Sequence, residues 1–355
     1  MGCLRILLAL SVLFGHIPNG FQLVGGQVAV EAFFMISGFY IALILNHTYA
    51  NNIHSFYINR LLRLFPAYWF VGIVIFGFLI IDSNFLSRFD SFGTLPADAK
   101  IFVVATNIFL VFQDWTMFLG IINGSLQFVE NFRNSDPQLF NFLLIPQAWS
   151  LGVELTFYAM APWLCNLNTR LLLQLIGFAL ILRLLFVLFG IYYDPWTYRF
   201  FPTELVFFLT GVVAYRWHEK KKVGLAALSG DKWVYFVILI TLIYSIFPFG
   251  SVMMWIYYIL LFVSLPALFT YSSRNKIDRY IGELSYSIYL VHMLLIELVG
   301  QYLNVNNVFF TDLLVAVLSI VAALVIHIVI EKPVERFRNS IRPAVLVNPG
   351  GVAAK

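Results

Sequence analysis

The chain has 355 residues, of which 61% are hydrophobic and 18% aromatic, while only 11% carry a charge. Soluble globular domains contain about 25% charged residues, so this composition excludes an ordinary soluble protein and indicates a membrane protein built from helices. The formal net charge is +4, and because the basic residues lie in short segments between apolar stretches, they report membrane topology rather than nucleic-acid binding.

Ten apolar stretches are predicted to be membrane-spanning helices, since about 20 apolar residues span the hydrocarbon core. In chain order they are 4–18, 28–46, 64–82, 146–165, 170–192, 201–217, 232–249, 252–271, 280–303 and 309–331. A shorter apolar stretch at 101–113 is either an additional span or a re-entrant segment. The fold class that follows is all-α: a polytopic transmembrane helical bundle of about ten spans with no soluble domain.

The basic residues predict the orientation of this bundle, because positively charged loops face the cytoplasm. Ten spans with a cytoplasmic N-terminus place all four basic clusters on the inner side and leave 83–145 as a polar excursion on the outer side. We therefore expect a transmembrane domain over 1–335 and a basic, partly disordered cytoplasmic tail over 336–355. The clusters are Arg60 with Arg63; Arg216 with Lys220, Lys221 and Lys222; Arg274 with Lys276 and Arg279; and Lys332 with Arg336, Arg338 and Arg342.

The first predicted span contains two ionisable side chains, Arg5 and His16, eleven residues apart. Eleven residues make about three helical turns, so both side chains share one helix face and lie about 16 Å apart along the axis. Ionisable groups inside a membrane usually face a protein interior or a hydrated cavity and mark functional sites. His16 is therefore a candidate general base. The alternative is a packed histidine that is bonded to a neighbouring carbonyl.

A carboxylate is predicted at a similar depth, on the fourth span. Ser150, Glu154 and Tyr158 are spaced four residues apart and share one helix face. Counting residues from the two membrane surfaces puts Glu154 and His16 within a few ångströms of the same level, which favours a carboxylate–imidazole pair. The alternative is a structural ion pair between Glu154 and Arg183.

The ninth span places three more polar side chains, Ser285, Tyr289 and His292, on one face near this depth. They indicate one cavity shared with the groups above, or else an interhelical hydrogen-bond network that only holds helices together. The other residues expected to line this cavity are Glu31, Ser37, Trp149 and Arg183.

Arg60 and Arg63 stand one turn apart at the cytoplasmic start of the third span, at the same membrane surface as Arg5. Guanidinium groups chelate phosphate oxygens, so the three arginines predict an anion site at this surface. The alternative is simple anchoring of the helices by positive charge.

Five motifs follow one another along nearly the whole chain. They are Arg5-x10-His16; Val30-Glu31-x-Phe33-Phe34-x-x-Ser37-Gly38-Phe39; Arg60-x-x-Arg63-x-x-Pro66-x-Tyr68-Trp69; Trp149-Ser150-Leu151-x-x-Glu154-x-x-Phe157-Tyr158; and Ser285-Tyr286-x-x-Tyr289-x-x-His292, with Glu331-Lys332-Pro333 after them. In this order they resemble the acyltransferase 3 family of integral membrane O-acyltransferases, which modify surface glycans. The second motif usually begins Gly-Val-Asp, and Ala29-Val30-Glu31 here lengthens its carboxylate by one methylene.

The resemblance implies transfer of an acyl group, by default acetyl, from cytoplasmic acyl-CoA to a hydroxyl of a lipopolysaccharide, another cell-surface polysaccharide or a lipid-linked sugar. It implies His16 as catalytic base, Glu154 as support of the site, and Arg5, Arg60 and Arg63 as donor-binding residues. It also implies a location in the bacterial cytoplasmic (inner) membrane, with both termini in the cytoplasm. We expect acyl-CoA as a substrate, and neither a metal nor a permanently bound cofactor.

Two other functions would also place polar groups in a membrane. A transporter or flippase of a lipid-linked sugar would line its path with ionisable residues, but it predicts internal repeats or paired broken helices, which the sequence lacks. A receptor or structural protein accounts for the apolar bulk but not for ionisable residues at one depth. The acceptor, the acyl chain length and the oligomeric state are not predicted.

Overall fold

The all-α fold class is confirmed by a computed structural model, which describes residues 1–341 apart from 51, 83–84, 86, 222–230, 248–249 and 304–306. Its α-helices are α1 Gly2–Gly15, α2 Gly26–His47, α3 Ile53–Ile81, α4 Ala97–Phe109, α5 Trp149–Leu164, α6 Thr169–Leu188, α7 Phe201–Lys221, α8 Asp231–Ile243, α9 Gly250–Arg274, α10 Lys276–Tyr302, α11 Val308–Ile326 and α12 Lys332–Ser340. One π-helical turn, His327–Glu331, joins the last two.

Helices occupy all ten predicted spans, namely α1 to α3 and α5 to α11. Among the described residues, six helical segments are both long and apolar enough to cross a membrane: α2, α3, α6, α9, α10 and the continuous run Val308–Ser340. By contrast, helices α1, α5 and α8 have only 14, 16 and 13 residues. A helix of 14 residues is about 21 Å long, which is shorter than the hydrocarbon core of a bilayer, about 30 Å thick. The chain is a membrane protein, and a count of ten full spans stays a prediction.

The first helix is shorter than predicted, and this changes the position of His16. Helix α1 ends at Gly15, and His16 is its C-terminal cap. The chain cannot continue as helix because Pro18 disfavours helical geometry at the residue before it and Asn19 adopts a positive φ of 58°. His16 is therefore an exposed residue at a helix end, not a residue in the middle of a span.

The segment between α3 and α5 contains short 3₁₀ turns, α4 and a two-stranded hairpin. Strands β1 (Leu119–Ile122) and β2 (Ser125–Phe128) pair antiparallel across Asn123-Gly124. Both of these turn residues have positive φ, as tight hairpin turns require. The apolar stretch 101–113 largely forms α4, whose 13 residues are too few to cross the hydrocarbon core alone.

Two helix pairs approach so closely that only glycine fits between them. A Cβ atom added to Gly211 of α7 would lie 2.0 Å from the Met35 carbonyl oxygen of α2, and one added to Gly38 would lie 2.0 Å from the Phe208 carbonyl oxygen. Likewise, a Cβ on Gly282 of α10 would lie 2.6 Å from the Cα of Gly2 in α1. Small residues permit such contacts between membrane helices, and they fix α2 against α7 and α1 against α10.

A buried ion network joins α2, α6 and α7. The Nη2 atom of Arg183 lies 2.8 Å from Oε1 of Glu31 and 2.7 Å from Oε1 of Glu204, and Tyr258 donates a further hydrogen bond to Glu31. Both carboxylates are fully buried. The alternative of an ion pair between Arg183 and Glu154 is therefore wrong, because Arg183 is already neutralised by two other carboxylates.

The predicted boundary between domain and tail falls inside α12, which continues from Lys332 to Ser340. The Arg338 side chain is buried and donates two hydrogen bonds to Oδ1 of Asn59, at 2.8 and 3.3 Å, so the start of the predicted tail is tied to α3. Residues 342–355 of that tail lie outside the described residues.

We predict that Gly211→Ala destabilises the bundle, because its methyl group would overlap the carbonyl oxygen of Met35. Overpacking of this kind costs about 1–3 kcal/mol. The matched control is Gly177→Ala on α6, where an added Cβ meets nothing within 4 Å and helix propensity favours alanine by about 1 kcal/mol. Thermal unfolding in detergent measures both, and equal melting temperatures for the two variants would contradict the close contact.

We predict a larger loss from Arg183→Met. The substitution leaves two fully buried carboxylates without their cation, and breaking a buried ion pair from one side costs about 3–5 kcal/mol. The yield of monodisperse protein and its melting temperature should both fall. The triple change Glu31→Gln, Arg183→Met, Glu204→Gln removes all three charges together. It should recover part of the loss, and no recovery would mean that charge is not the cause.

Candidate active site

A cavity of about 330 Å³ opens within the bundle. This volume lies in the range of about 300–1,000 Å³ that is typical of small-molecule sites. Five separate helices, α1, α2, α3, α5 and α10, bring nine of the predicted site residues to its wall. They are Arg5, Ser37, Arg60, Arg63, Ser150, Glu154, Tyr158, Ser285 and Tyr289.

One feature of this wall is an excess of positive charge. Among the described residues, Arg5, Arg60 and Arg63 form no ion pair with a carboxylate, and Arg60 only donates a 3.0 Å hydrogen bond to the Asn59 amide oxygen. Charges that are not paired inside a membrane protein need water or a ligand. Two further arginines line the cavity, Arg279 and Arg338, which belong to the basic clusters that predict topology. Two carboxylates, those of Glu154 and Glu283, also line it.

The carboxylate of Glu154 lies on this wall and joins two helices. Its Oε1 atom accepts hydrogen bonds from the Ser37 hydroxyl of α2 and, at 2.6 Å, from the Tyr158 hydroxyl one turn further along α5. The predicted pair between Glu154 and His16 is not formed, because the hydrogen bonds of the Glu154 carboxylate come from Ser37 and Tyr158. The carboxylate faces the arginines of the cavity instead.

Two hydroxyl groups close the cavity on the side of α5 and α10. The Ser150 and Tyr289 hydroxyls are 2.7 Å apart, and Tyr289 donates a further 2.6 Å hydrogen bond to the Gln147 carbonyl. Because both side chains line the cavity and are themselves buried, they form part of its wall.

Two histidines lie near this pair of hydroxyl groups. The His292 ring centroid is 5.7 Å from that of Tyr289 and 5.2 Å from that of His16. His292 is fully buried, whereas His16 is exposed. Neither histidine lines the cavity, so of the polar groups predicted to share one chamber the cavity holds Ser285 and Tyr289 but neither His16 nor His292.

Hydrogen bonds to backbone carbonyls assign the tautomer of both imidazoles. Nδ1 of His16 lies 2.8 Å from the Val12 carbonyl oxygen, and Nδ1 of His292 lies 2.7 Å from the Tyr289 carbonyl oxygen. A carbonyl accepts only, so the proton is on Nδ1 in each neutral ring and the lone pair is on Nε2. The predicted alternative, a His16 that is bonded to a neighbouring carbonyl, therefore holds for Nδ1. Its Nε2 remains free to act as a base.

The three remaining predicted residues lie outside the cavity lining. Glu31 and Arg183 belong to the ion network described above. Trp149 is buried under the Arg199 guanidinium, whose carbon is 4.1 Å from the indole centroid. Arg199 in turn pairs with Asp194 at 2.5 Å. No sequence motif indicated this stacking of Arg199 on Trp149, because the segment between α6 and α7 must fold back to bring Arg199 there.

The sequence model of the acyltransferase 3 family, described as an acyltransferase domain, matches residues 1–332. Over 329 residues the chain is 26% identical to "Putative O-acetyltransferase SACOL0978" of Staphylococcus aureus (strain COL), which covers 84% of this chain and 50% of that protein. Over 201 residues it is 25% identical to "Putative peptidoglycan O-acetyltransferase YrhL" of Bacillus subtilis (strain 168), covering 54% and 28%. No solved structure matches the chain.

The family match agrees with the order of the five motifs along the chain. The chain spans about half the length of the staphylococcal relative and less of the Bacillus one. The family match, however, covers nearly all of the described helices, including every residue of the cavity wall except Arg338. The chain therefore belongs to the acyltransferase 3 family, and its helical membrane bundle is the acyltransferase domain of that family.

Proposed function

We propose that this protein transfers an acyl group, by default acetyl, from acyl-CoA to a hydroxyl of a cell-surface or lipid-linked carbohydrate. The single observation that carries the proposal is the cavity itself. Arginines from α1 and α3 line it and, among the described residues, form no ion pair with a carboxylate. Tyr289 on its wall lies 5.7 Å from His292 between ring centroids, and His292 lies 5.2 Å from His16.

The arginines suit the polyanionic end of the donor. Coenzyme A has a pyrophosphate and a ribose phosphate, and guanidinium groups bind phosphate oxygens with two parallel hydrogen bonds. Arg5, Arg60 and Arg63 would hold these phosphates. The flexible arm of the donor would then enter the cavity and bring its thioester towards Ser150 and Tyr289.

His16 would act as the general base. Its Nδ1–H is held by the Val12 carbonyl, so the free Nε2 can take the proton from an acceptor hydroxyl. The hydroxyl oxygen bonds to the thioester carbonyl carbon, and the carbon–sulfur bond breaks to release coenzyme A. General base catalysis contributes about 10²–10⁴-fold to such a rate. Because the imidazole is exposed, an acceptor outside the bundle can reach it.

The same arrangement supports the proposed orientation. The arginines of the cavity belong to, or lie beside, the basic clusters that predict the cytoplasmic side. His16 lies three helical turns from Arg5, at the other end of α1, which would be the end nearer the outer surface. The donor would therefore enter from the cytoplasm and the acceptor from outside, in the cytoplasmic membrane with both termini inside.

We predict that His16→Ala abolishes acylation, with a loss of at least about 100-fold, while expression and melting temperature stay unchanged because the side chain is exposed. The measurement is mass analysis of surface polysaccharide from a deletion strain complemented with each variant. His54→Ala, an exposed histidine at the start of α3, is the matched control and should restore acylation. Full acylation with His16→Ala would remove this residue from catalysis. Accumulation of chemically unaltered lipid-linked sugar would indicate a transporter instead.

We also predict that Arg60→Ala and Arg63→Ala each raise the KM for acetyl-CoA by about 10- to 100-fold, since a hydrogen bond to a charged group contributes about 1.5–3 kcal/mol. The kcat should change much less, because these side chains bind the donor equally in the ground and transition states. Release of free thiol from acetyl-CoA in solubilised membranes measures both constants. Arg170→Ala on the exposed start of α6 is the control, and an unaltered donor KM in the first two variants would return both arginines to membrane anchoring.

A further inference from the structure

Two guanidinium groups from different helices converge on one amide oxygen beside the cavity. Oδ1 of Asn59 accepts a 3.0 Å hydrogen bond from Nη2 of Arg60, and bonds of 2.8 and 3.3 Å from Nη2 and Nε of Arg338. Asn59 and Arg338 are buried, and both arginines line the cavity. A neutral oxygen therefore holds together two positive charges, one from α3 and one from α12.

Two polar atoms of this group are buried and lack a hydrogen-bond partner among the residues that the structure describes, and both are hydrogen-bond donors. They are Nε of Arg60 and Nδ2 of Asn59. A buried donor without an acceptor costs free energy, so the arrangement calls for a ligand that is rich in acceptor atoms. A phosphate supplies acceptor oxygens and negative charge together, and guanidinium groups are its usual partners.

The charge of the cavity suits an anion with more than one phosphate. Over the described part of the chain, its lining side chains include five arginines and two glutamates, an excess of three positive charges. Coenzyme A carries about four negative charges at neutral pH, of which up to about two belong to the phosphate monoester on its ribose. The excess is therefore comparable to the charge of one coenzyme A molecule.

Helices α3 and α10 run in the same direction, which gives the cavity two distinct ends. The Tyr286 hydroxyl of α10 donates a 2.7 Å hydrogen bond to the Leu64 carbonyl of α3, and further along both helices the Gln301 amide donates a 3.1 Å bond to Asp82. A residue that comes earlier on either helix therefore lies nearer the end of the cavity at α12.

The order of groups along the cavity consequently matches their order along an acyl-CoA. Arg338 and Arg60 lie at one end, Arg63 follows one turn further along α3, and Tyr289 with Ser150 lies further still along α10. In the acyl donor, the ribose 3′-phosphate and the thioester are at opposite ends, with the pyrophosphate and the flexible arm between them. A donor that enters with its thioester first therefore leaves its 3′-phosphate beside Arg60 and Arg338.

We propose that Arg338 binds the ribose 3′-phosphate of the acyl donor together with Arg60, and that the enzyme thereby discriminates acetyl-CoA from acetyl-dephospho-CoA. This inference rests on the proposed function, and it concerns a residue beyond the stretch 1–332 that the family model matches. A guanidinium group has five N–H donors, so Arg338 can retain Asn59 and bind phosphate oxygens at the same time.

The alternative role of Arg338 is structural. Its bonds to Asn59 would then only fasten α12 to α3, with Glu331 and Glu335 as neighbours in a second cavity of about 40 Å³ that Arg338 also lines. A structural role affects every donor equally, whereas a phosphate contact affects only the donor that carries the phosphate. A comparison of two donors therefore separates the two roles.

The first test uses the unmodified protein and needs no variant. Acetyl-dephospho-CoA lacks only the 3′-phosphate, so the thiol-release assay in solubilised membranes should give it a KM about 10- to 100-fold above that of acetyl-CoA. The kcat should be similar for both, because the missing phosphate is remote from the reacting carbon. Equal KM values for the two donors would overturn the proposal.

The second test assigns the discrimination to one residue. Arg338→Gln should raise the KM for acetyl-CoA by about the same factor and leave the KM for acetyl-dephospho-CoA unchanged, so that the two values converge. The matched control is Arg336→Gln, an exposed arginine on the same helix, which should keep the full discrimination.

Two results with these variants would overturn the proposal. An equal rise of KM for both donors in Arg338→Gln would assign Arg338 a structural role. Loss of the discrimination in Arg336→Gln as well would assign it to the general positive charge of α12. Absence of thiol release from either donor by the unmodified protein would instead overturn the proposed function, and this inference with it.

Discussion

Charge inside an apolar bundle is the constraint on which this structure depends. A guanidinium group in a membrane protein must meet a carboxylate or face a hydrated space, and the bundle uses both solutions. Arg183 is neutralised by two buried carboxylates, Glu31 and Glu204, and serves to join three helices. Among the residues that the structure describes, the arginines of α1 and α3 have no such partners, and they line a cavity. Whether an arginine is paired with carboxylates, rather than its presence alone, distinguishes the structural network of Arg183 from the candidate active site.

Close backbone contacts between helices fix the positions of these charged and polar side chains. Gly211 allows α7 to lie directly against α2, beside Ser37, and Gly282 allows α10 to lie directly against α1. The second contact brings the helix of His292 against the helix that ends at His16. The spacing between arginine, hydroxyl pair and imidazole pair is therefore set by rigid helices rather than by loops, as a site that positions a thioester requires.

Much of this arrangement could be predicted from the sequence because a membrane imposes a strict relation between residue number and depth. Apolar runs located the ten helices, and residue counting brought side chains from five helices to one cavity. Depth alone, however, does not say which way a helix face points. For that reason the sequence predicts a pair between Glu154 and His16, although Glu154 bonds Ser37 and Tyr158. It also predicts Glu31 in the lining, although Glu31 pairs with Arg183.

Two features depended on backbone geometry that the apolar pattern does not encode. The end of α1 at Gly15 exposes His16, and the fold of the segment before α7 carries Arg199 over Trp149. The 2.7 Å contact between the Ser150 and Tyr289 hydroxyls likewise joins α5 to α10 in a way that depth alone does not predict. Both side chains are predicted to line the cavity from the pattern of their own helices, but their pairing depends on the relative rotation of the two helices.

The most direct test of this account is a structure of the protein with a non-hydrolysable thioether analogue of acetyl-CoA, determined by electron cryo-microscopy in lipid nanodiscs. The account predicts phosphate density against Arg5, Arg60 and Arg63, with the flexible arm in the cavity and the acyl group directed towards His16. Phosphate density away from all three arginines, or arginines in contact only with lipid headgroups and an empty cavity, would contradict it.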